Sequence, residues 1–419
     1  MINTNIKTAF QSADLLLPTP DIDLTKWSVI ACDQYTSNPE YWNNTKQIIQ
    51  NAPSTLHLIL PEAHLSKKDV DIELSTIHET MNNYLDLQIF TEYKNAMIYI
   101  ERTTSSNETR AGLIGVLDLE EYDYQKGYNS QVRATEATVM DRLPPRIKIR
   151  NSASLELSHI MVLIDDKEQT VIEPLHIKSH TFQKLYDFSL INHGGNIKGY
   201  LLDEDAIKTI SEKLEVLFLS SLKKNSSLLF AIGDGNHSLA AAKKIYEDLK
   251  ASHPENDFLN HPARYALVEL VNLHSPAIHF EAIHRIVTDT NTDMLLKEAI
   301  RELGLQKSGE GQSLSIVING IEEHFVIKKT SSKTAVGSLQ NFLDSYLNAN
   351  TGKIDYIHGE ETLIQLTKQP NSIGFLLSPI LKEDLFPTVN IDGALPRKTF
   401  SMGRAEDKRY YLECRKLIY

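Results

Sequence analysis

The sequence predicts a mixed protein, α+β with α/β stretches, of more than one domain, and three observations carry that prediction. Short β-rich runs alternate with longer runs of helical periodicity. The length, 419 residues, corresponds to two or three domains of about 150 residues each. Hydrophobic residues at 41% and charged residues at 23% are ordinary for a globular chain and unlike disordered or collagen-like ones.

Taken in order, the apolar runs place strands at 27–31, 96–101, 113–117, 159–164 and 228–232, then at 266–271, 314–318 and 373–377. Another strand, at 197–202, follows the flexible turn His193-Gly194-Gly195. Helical spacing places helices at 39–50, 69–85, 203–219, 238–250 and 292–303. Polar breaks at 124–130, 251–262 and 307–312 are the natural boundary or insertion points. They suggest an N-terminal module over 1–125, a middle module over 126–290 and a C-terminal module over 291–419. The chain shows no solenoid or propeller period and no low-complexity stretch.

Composition narrows the function. With 43 Lys plus Arg against 55 Asp plus Glu the formal charge is −12, which disfavours a nucleic-acid partner, since binding to a duplex needs a basic footprint. A local basic pocket for a small anion is still compatible with it. Cys32 and Cys414 lie near opposite ends and form no C-x-x-C pair, so neither a disulfide framework nor a zinc site is expected. The first residues lack an apolar core of signal-peptide length. The strongest apolar run, 228–232, is only strand-sized, far below the roughly 20 residues that cross a bilayer. A cytoplasmic protein with no membrane partner is the expectation.

The stretch most suited to chemistry is LLFAIGDGNHSLAAAKKIYEDLK. Its apolar strand runs into the turn Gly233-Asp234-Gly235-Asn236-His237-Ser238, and a helix begins there. Leu239, Ala242, Ile245 and Leu249 recur on one face of that helix, and alanines at 240–242 let it lie close to the sheet. Such a turn aims backbone N–H groups and the positive end of a helix dipole at one point, which suits a phosphate. Gly235 permits close backbone approach, and Ser238 is placed to cap the helix or donate to a phosphate oxygen. His237 is a candidate phosphate donor or proton carrier, and Asp234 a candidate metal ligand. The alternative is that Asp, Asn and Ser here are ordinary capping residues.

A second segment, RATEATVMDRLPPRIKIR, concentrates Arg133, Arg142, Arg146, Lys148 and Arg150 around Glu136 and Asp141. It reads either as a gathering point for phosphate charge, with Glu136 as base or metal ligand, or as a solvated helix laced with charge pairs. Asp33, after the first strand, is a candidate partner of Asp234 for Mg²⁺. His284 and Arg285 follow an apolar run that would end beside a cleft, and Arg397 and Lys398 sit in a turn after Gly393 and Pro396. His176 and His180 have i,i+4 spacing without a third ligand. Nothing beside Cys32 would lower its pKa.

The turn resembles the D-G-H-H-R strand–turn–helix signature of a bacterial and archaeal family of unknown function, number 1015. That signature is in turn similar to the nucleotide-binding box of the ParB/sulfiredoxin superfamily, which includes free serine kinases. Further matches fall in order along nearly the whole chain. Cys32-Asp33-Gln34-Tyr35 stands where the family has Pro-Tyr-Asp, and Thr135-Glu136-Ala137-Thr138 with Asp141-Arg142 resembles its His-Glu-x-Thr…Asp-Arg block. His284-Arg285 matches a Pro-Thr-His-Arg element, and the run from Leu395 to Phe400 resembles a closing Met-Pro-x-Lys-Ser-Thr stretch. The chain departs from the signature at Asn236 and Ser238, which replace its first His and its Arg. Losing that Arg removes a guanidinium suited to bidentate phosphate contact.

The resemblance implies a ParB/sulfiredoxin-like core with additional α+β modules. It also implies nucleotide-dependent phosphoryl transfer, from ATP or ADP with Mg²⁺, to a small hydroxyl-bearing metabolite such as free serine. Glu136, His237 and Asp33 would be catalytic, and Asp33 and Asp234 would hold the metal. The turn residues 233–238 with Arg133, Arg142, His284, Arg285, Arg397 and Lys398 would bind the nucleotide. Two other readings use the same residues: a ParB-like nucleotide-binding regulatory module without catalysis, and a metal-dependent phosphohydrolase or nuclease.

Overall fold

The computed structural model describes residues 7–36, 38–65, 70–125, 129–138, 140, 143–255 and 257–417. Their contacts divide the chain into two compact units. The first comprises the chain up to Ala134, Thr138–Ile278 and the return from Arg404 onward; the second comprises Thr135–Ala137 and His279–Gly403. Both mix helices and sheets, so the protein is of mixed α+β class. No helix among the described residues is long and apolar enough to cross a membrane.

The main sheet of the first unit has ten strands among the described residues. Its order is Gln183–Ser189, Asn196–Leu201, Ile98–Thr103, Thr109–Asp118, Tyr265–Asn272, Met161–Ile164, Phe230–Asp234, Val132–Ala134 and Tyr122–Asp123, with Phe10–Gln11 against Thr109–Asp118. The strand Phe230–Asp234 is interior. It runs parallel to Val132–Ala134, with Ala231 opposite Arg133, and antiparallel to Met161–Ile164, with Ala231 opposite Leu163. Its unbroken apolar run is what a strand buried on both faces requires. The helix Asn236–Ser252 then buries Leu239, Ala242 and Tyr246 in the core on one face of the sheet. Ala240 and Ala241 pack instead against Leu143 and Ile147 of the helix Leu143–Arg150, so the alanine run allows close approach of a helix as well as of the sheet.

A smaller sheet ties the chain ends together in the order Phe90–Ala96, Ala13–Pro18, Cys414–Lys416, Leu155–Leu157. Leu16 stands opposite Cys414, and Leu15, Trp27, Trp42 and Leu412 are fully buried around it. The returning segment is locked by buried charges. Arg409 binds Glu269 at 2.8 Å and Glu413 at 2.9 Å, and Arg110 reaches Glu269 at 3.1 Å. Arg150 and Arg415 both close on Glu156. Removing one member of such a buried set strands the others, at a cost of about 3–5 kcal/mol. These pairs hold Lys408 and Tyr411 in place.

The second unit is an antiparallel sheet ordered Ile321–Ile327, Gln312–Ile318, Ile373–Leu376, Phe280–Thr288 and Lys353–His358, with Phe400–Met402 against Phe280–Thr288. Helices Thr292–Glu302 and Ala335–Ala349 bury Leu295, Ala299, Leu339 and Leu343 against Phe375.

Two expected elements differ. Residues 27–31 are not a strand: Trp27 ends a short helix, Leu24–Trp27, capped by Asp23, and the chain continues extended with a single bridge from Ile30 to Tyr410. The Trp27 indole N–H donates to the Leu412 carbonyl at 3.0 Å, so a tertiary bond to the returning segment outweighs local strand propensity. The run before His284 does not end there either. Its strand continues to Thr288 and puts His284 and Arg285 in the interior.

Candidate functional site

The expected turn forms. The strand Phe230–Asp234 ends, Gly235 adopts a left-handed conformation at φ +78°, and the helix starts at Asn236. A Cβ on Gly235 would lie 2.9 Å from the Ile160 Cγ1 and 3.0 Å from its Cα, so only glycine fits on both counts. Having no side chain, Gly235 leaves the helix without a side-chain cap at this position and presents the positive end of a seventeen-residue helix. Asp234 folds back so that one carboxylate oxygen accepts the Gly235 N–H at 2.8 Å. Asn236 is buried, and Gly233, His237 and Ser238 are half-buried.

Basic and titratable groups from three distant segments converge on this turn. The Lys408 ammonium lies 3.2 Å from the second oxygen of Asp234. His159 Nε2 faces Ser238 Oγ at 3.4 Å and Asp33 Oδ2 at 3.7 Å. The Tyr411 hydroxyl is 2.7 Å from His159 Nδ1 and accepts the Cys32 N–H at 3.3 Å. Assigning the tyrosine proton to Nδ1 satisfies all three groups, and it leaves Nε2 as an N–H directed at Asp33 and Ser238. Burial by itself would raise the Asp33 carboxyl, but His159, the Gln34 amide, Lys408 and Arg146 together hold it below its usual value. The Cys32 thiol goes the other way, pushed up to about 12 by burial and by the Asp33 charge, which disfavours the thiolate form at neutral pH.

Of the sequence-derived candidates, the first unit brings together Asp33, Asp234 and the turn 233–238. Arg133 has another task. Its strand runs beside Phe230–Asp234, but its guanidinium donates to Ser227 at 2.9 Å and to Asn129 and the Ser130 carbonyl, at the start of that strand and away from the turn. Arg146 pairs with Glu62 and Arg150 with Glu156. Arg142 and Asp141 lie outside the described residues.

The second unit gathers its own cluster. Glu136 accepts the Thr399 N–H at 3.3 Å. The Arg285 guanidinium, fully buried, donates to Gln340 at 3.3 Å, to the Arg397 carbonyl at 3.2 Å and to the Ile283 carbonyl. It faces the Tyr356 ring at 5.2 Å, with the Arg397 guanidinium 5.5 Å from the same ring. Burial lowers the Arg285 guanidinium to about 10, against the opposing pull of Tyr356 and Glu136. Lys398 is exposed in a left-handed turn at φ +57°. His284 is a core residue: its Nδ1 accepts the Leu377 N–H at 3.2 Å, and burial together with Arg285 and His358 lowers it to about 4.

The magnesium expected at Asp33 and Asp234 does not fit the donors as they stand. Mg²⁺ wants oxygen ligands in a near-octahedral set, whereas Asp234 already meets the Lys408 ammonium and Asp33 meets His159 and the Gln34 amide. Among the described residues no group of three or more His, Cys, Asp or Glu side chains is arranged to hold a metal. The cation beside Asp234 in the fold is Lys408.

His159, Lys408 and Tyr411 were missed by sequence reasoning. His159 begins an apolar run and looks like strand, and Lys408 and Tyr411 lie in DKRYYLECRK, a stretch without a motif. The available signal was the dense alternation of charge and aromatic rings so close to the C-terminus.

Several solved structures resemble the fold at low scores. A C-terminally truncated SbnI from Staphylococcus aureus has a TM-score of 0.39 at 9% identity, over 69% of this chain and 82% of its own. A free serine kinase in complex with AMP has a TM-score of 0.39 at 10% identity, over 72% and 91%. A conserved hypothetical protein from Pyrococcus furiosus has 0.36 at 8%, over 72% and 93%. No curated protein matches the chain in sequence. A family profile does match, over residues 16–346. By that match, which takes in Asp33, His159 and the 233–238 turn alike, the chain belongs to the family described as protein of unknown function, DUF1015.

Proposed function

We propose that the protein is a nucleotide-dependent small-molecule kinase whose phosphate site is the Gly233–Ser238 turn. The observation that carries the reading is the position of Lys408. A lysine from the far end of the chain is held 3.2 Å from Asp234, beside a left-handed glycine turn at a helix N-terminus. Backbone amides, helix dipole and an ammonium together make a site for the phosphates of ATP or ADP. Lys408 supplies the cation that Ser238, standing in place of an arginine, cannot.

The chemistry asked of such a site is mostly positioning and charge. The acceptor hydroxyl sits near Asp33, which is kept ionised and takes the hydroxyl proton as the acceptor oxygen bonds to the terminal phosphorus. The bond from that phosphorus to the bridging oxygen of the nucleotide breaks, and the shortened nucleotide leaves. Lys408, His237 and the His159 Nε2–H steady the charge on the transferring group. A carboxylate of low basicity suits this role, because proton transfer comes late in a loose phosphoryl transfer. Glu136 is the other base the resemblance offers. Its carboxylate is engaged by Thr399 within the second unit, so we give the base role to Asp33.

A thermal-shift panel of ATP, ADP, CTP and pyrophosphate, with and without Mg²⁺, tests the site on wild type and His237→Ala, since a ligand that binds only the folded state raises the melting temperature. A nucleotide-specific rise that weakens in the variant is expected. Phosphorus NMR with serine and larger hydroxyl compounds then reads transfer. Absence of any shift would refute the reading, and binding without transfer to any acceptor would replace the kinase by a nucleotide-binding regulator.

A further inference from the structure

Beside the turn, on the flank formed by Ser238 and Ala241, the first unit carries a pocket of about 110 Å³, partly open to solvent. A concave, largely apolar pocket next to reactive groups is the usual form of a small-molecule site. Its walls are aliphatic, chiefly Leu58, Leu60, Met81, Ile149, Leu155 and Leu157. Its charged lining is internally paired, Arg146 with Glu62 and Arg150 with Glu156, and therefore demands no charge from a ligand. Its uncharged polar side chains include His159, Ser238 and Tyr411, which meet one another at one end. An apolar chamber with one polar end selects a molecule of the same polarity.

We propose that this cavity holds the carbon skeleton of the phosphoryl acceptor, with the acceptor hydroxyl at the His159–Ser238 end. A cavity of about 150 Å³ takes benzene, so this one takes a compact uncharged aliphatic or aromatic group of about four to six carbons. The acceptor class is thus a small apolar alcohol, bulkier than serine and without serine's charged amino and carboxylate groups. The inference rests on the kinase reading for the word acceptor; the cavity and its polarity do not depend on it.

Straight-chain 1-alkanols from ethanol to 1-octanol, followed by ligand-observed NMR at low millimolar concentration, test the cavity on the full chain. Affinity rises about fourfold per added methylene up to about five carbons, then falls as the chain outgrows the space. Ala241→Leu and Ala153→Leu, each adding bulk from a different wall, abolish the binding while circular dichroism stays native; should one fail to fold, the other decides. Flat or absent binding across the series on wild type would overturn the proposal, as would undiminished binding in a folded filled variant. The two readings fail separately. Alkanol binding with a length optimum but no nucleotide shift leaves the cavity and removes the kinase, whereas nucleotide shifts without alkanol binding remove the cavity alone.

Discussion

Replacing Lys408 by Met keeps most of the side chain and removes the ammonium between Asp234 and Asp33. At 3.2 Å from Asp234 and an effective dielectric of about 20, the direct attraction is about 5 kcal/mol. Part of that is cancelled by the cost of desolvating the ammonium, and the Asp234 side chain, 21% exposed, is partly screened by water. The net loss expected is about 2–3 kcal/mol at pH 7, or a melting temperature lower by roughly 5 °C for a unit of this size.

The pH dependence separates this account from a simple packing defect. Asp33 is held below its usual value in the fold, so its ionised form adds stability above the ordinary carboxylate pKa of about 4, and that stability is lost as pH falls below it. Without Lys408 the Asp33 carboxylate protonates more readily in the folded state. The deficit of Lys408→Met therefore holds from pH 7 to about 4 and shrinks as pH falls on to about 3. Urea denaturation of wild type, Lys408→Met and Lys408→Arg across that range is the assay, with arginine restoring part of the stability and part of the nucleotide-induced shift. A deficit under about 0.5 kcal/mol, which is the scale of an exposed pair, or one as large at about pH 3 as at pH 7, would refute the reasoning.

Other consequences are quicker to state. Gly235→Ala forces a Cβ against Ile160 in a left-handed conformation. It should cost about 1–2 kcal/mol from the conformation alone, and abolish the thermal shift with nucleotide because the turn must open. His284 is kept neutral in the fold, lowered to about 4, while an unfolded histidine takes a proton near 6.5. Stability is therefore complete above about 6.5 and lost as pH falls toward 4. The ceiling is about 3 kcal/mol, reduced to about 1–2 by screening. His284→Gln should flatten the denaturation midpoint over that range, and an unchanged slope would show that His284 is not the group responsible.

What the sequence made legible is what is local in it. The strand, the glycine turn and the helix around 233–238 lie within one short stretch, and their physics is that of hydrogen bonds and one left-handed residue. Asp33 was legible for the same reason, as a polar residue after an apolar run. The helix Ala335–Ala349 was not, although Thr334 caps it by accepting the Gly337 N–H at 3.2 Å. Gly337 and the serines before it weaken the helical pattern, and the fold uses them: a Cβ on Gly337 would meet the Ser332 hydroxyl at 2.2 Å. The hairpin Gln183–Ser189 with Asn196–Leu201 was only half visible, because its outer strand is largely exposed and its apolar alternation correspondingly thin.

The charges that complete the candidate site were illegible for a deeper reason. Lys408 and Tyr411 matter because Arg409 finds Glu269 and Glu413, and Arg415 finds Glu156, in the interior of a unit the chain has already left. A sequence shows these residues as a charged tail, which by composition alone belongs in solvent. Only the buried acids on distant strands turn that tail inward, and neither partner announces the other. His284 shows the converse, since its motif fits a binding role while its ring is spent on a backbone N–H. The site's chemistry is thus set by pairings across the chain. That is why Lys408→Met discriminates between the readings better than any substitution within the turn: it leaves the motif intact and removes only what the fold brought to it.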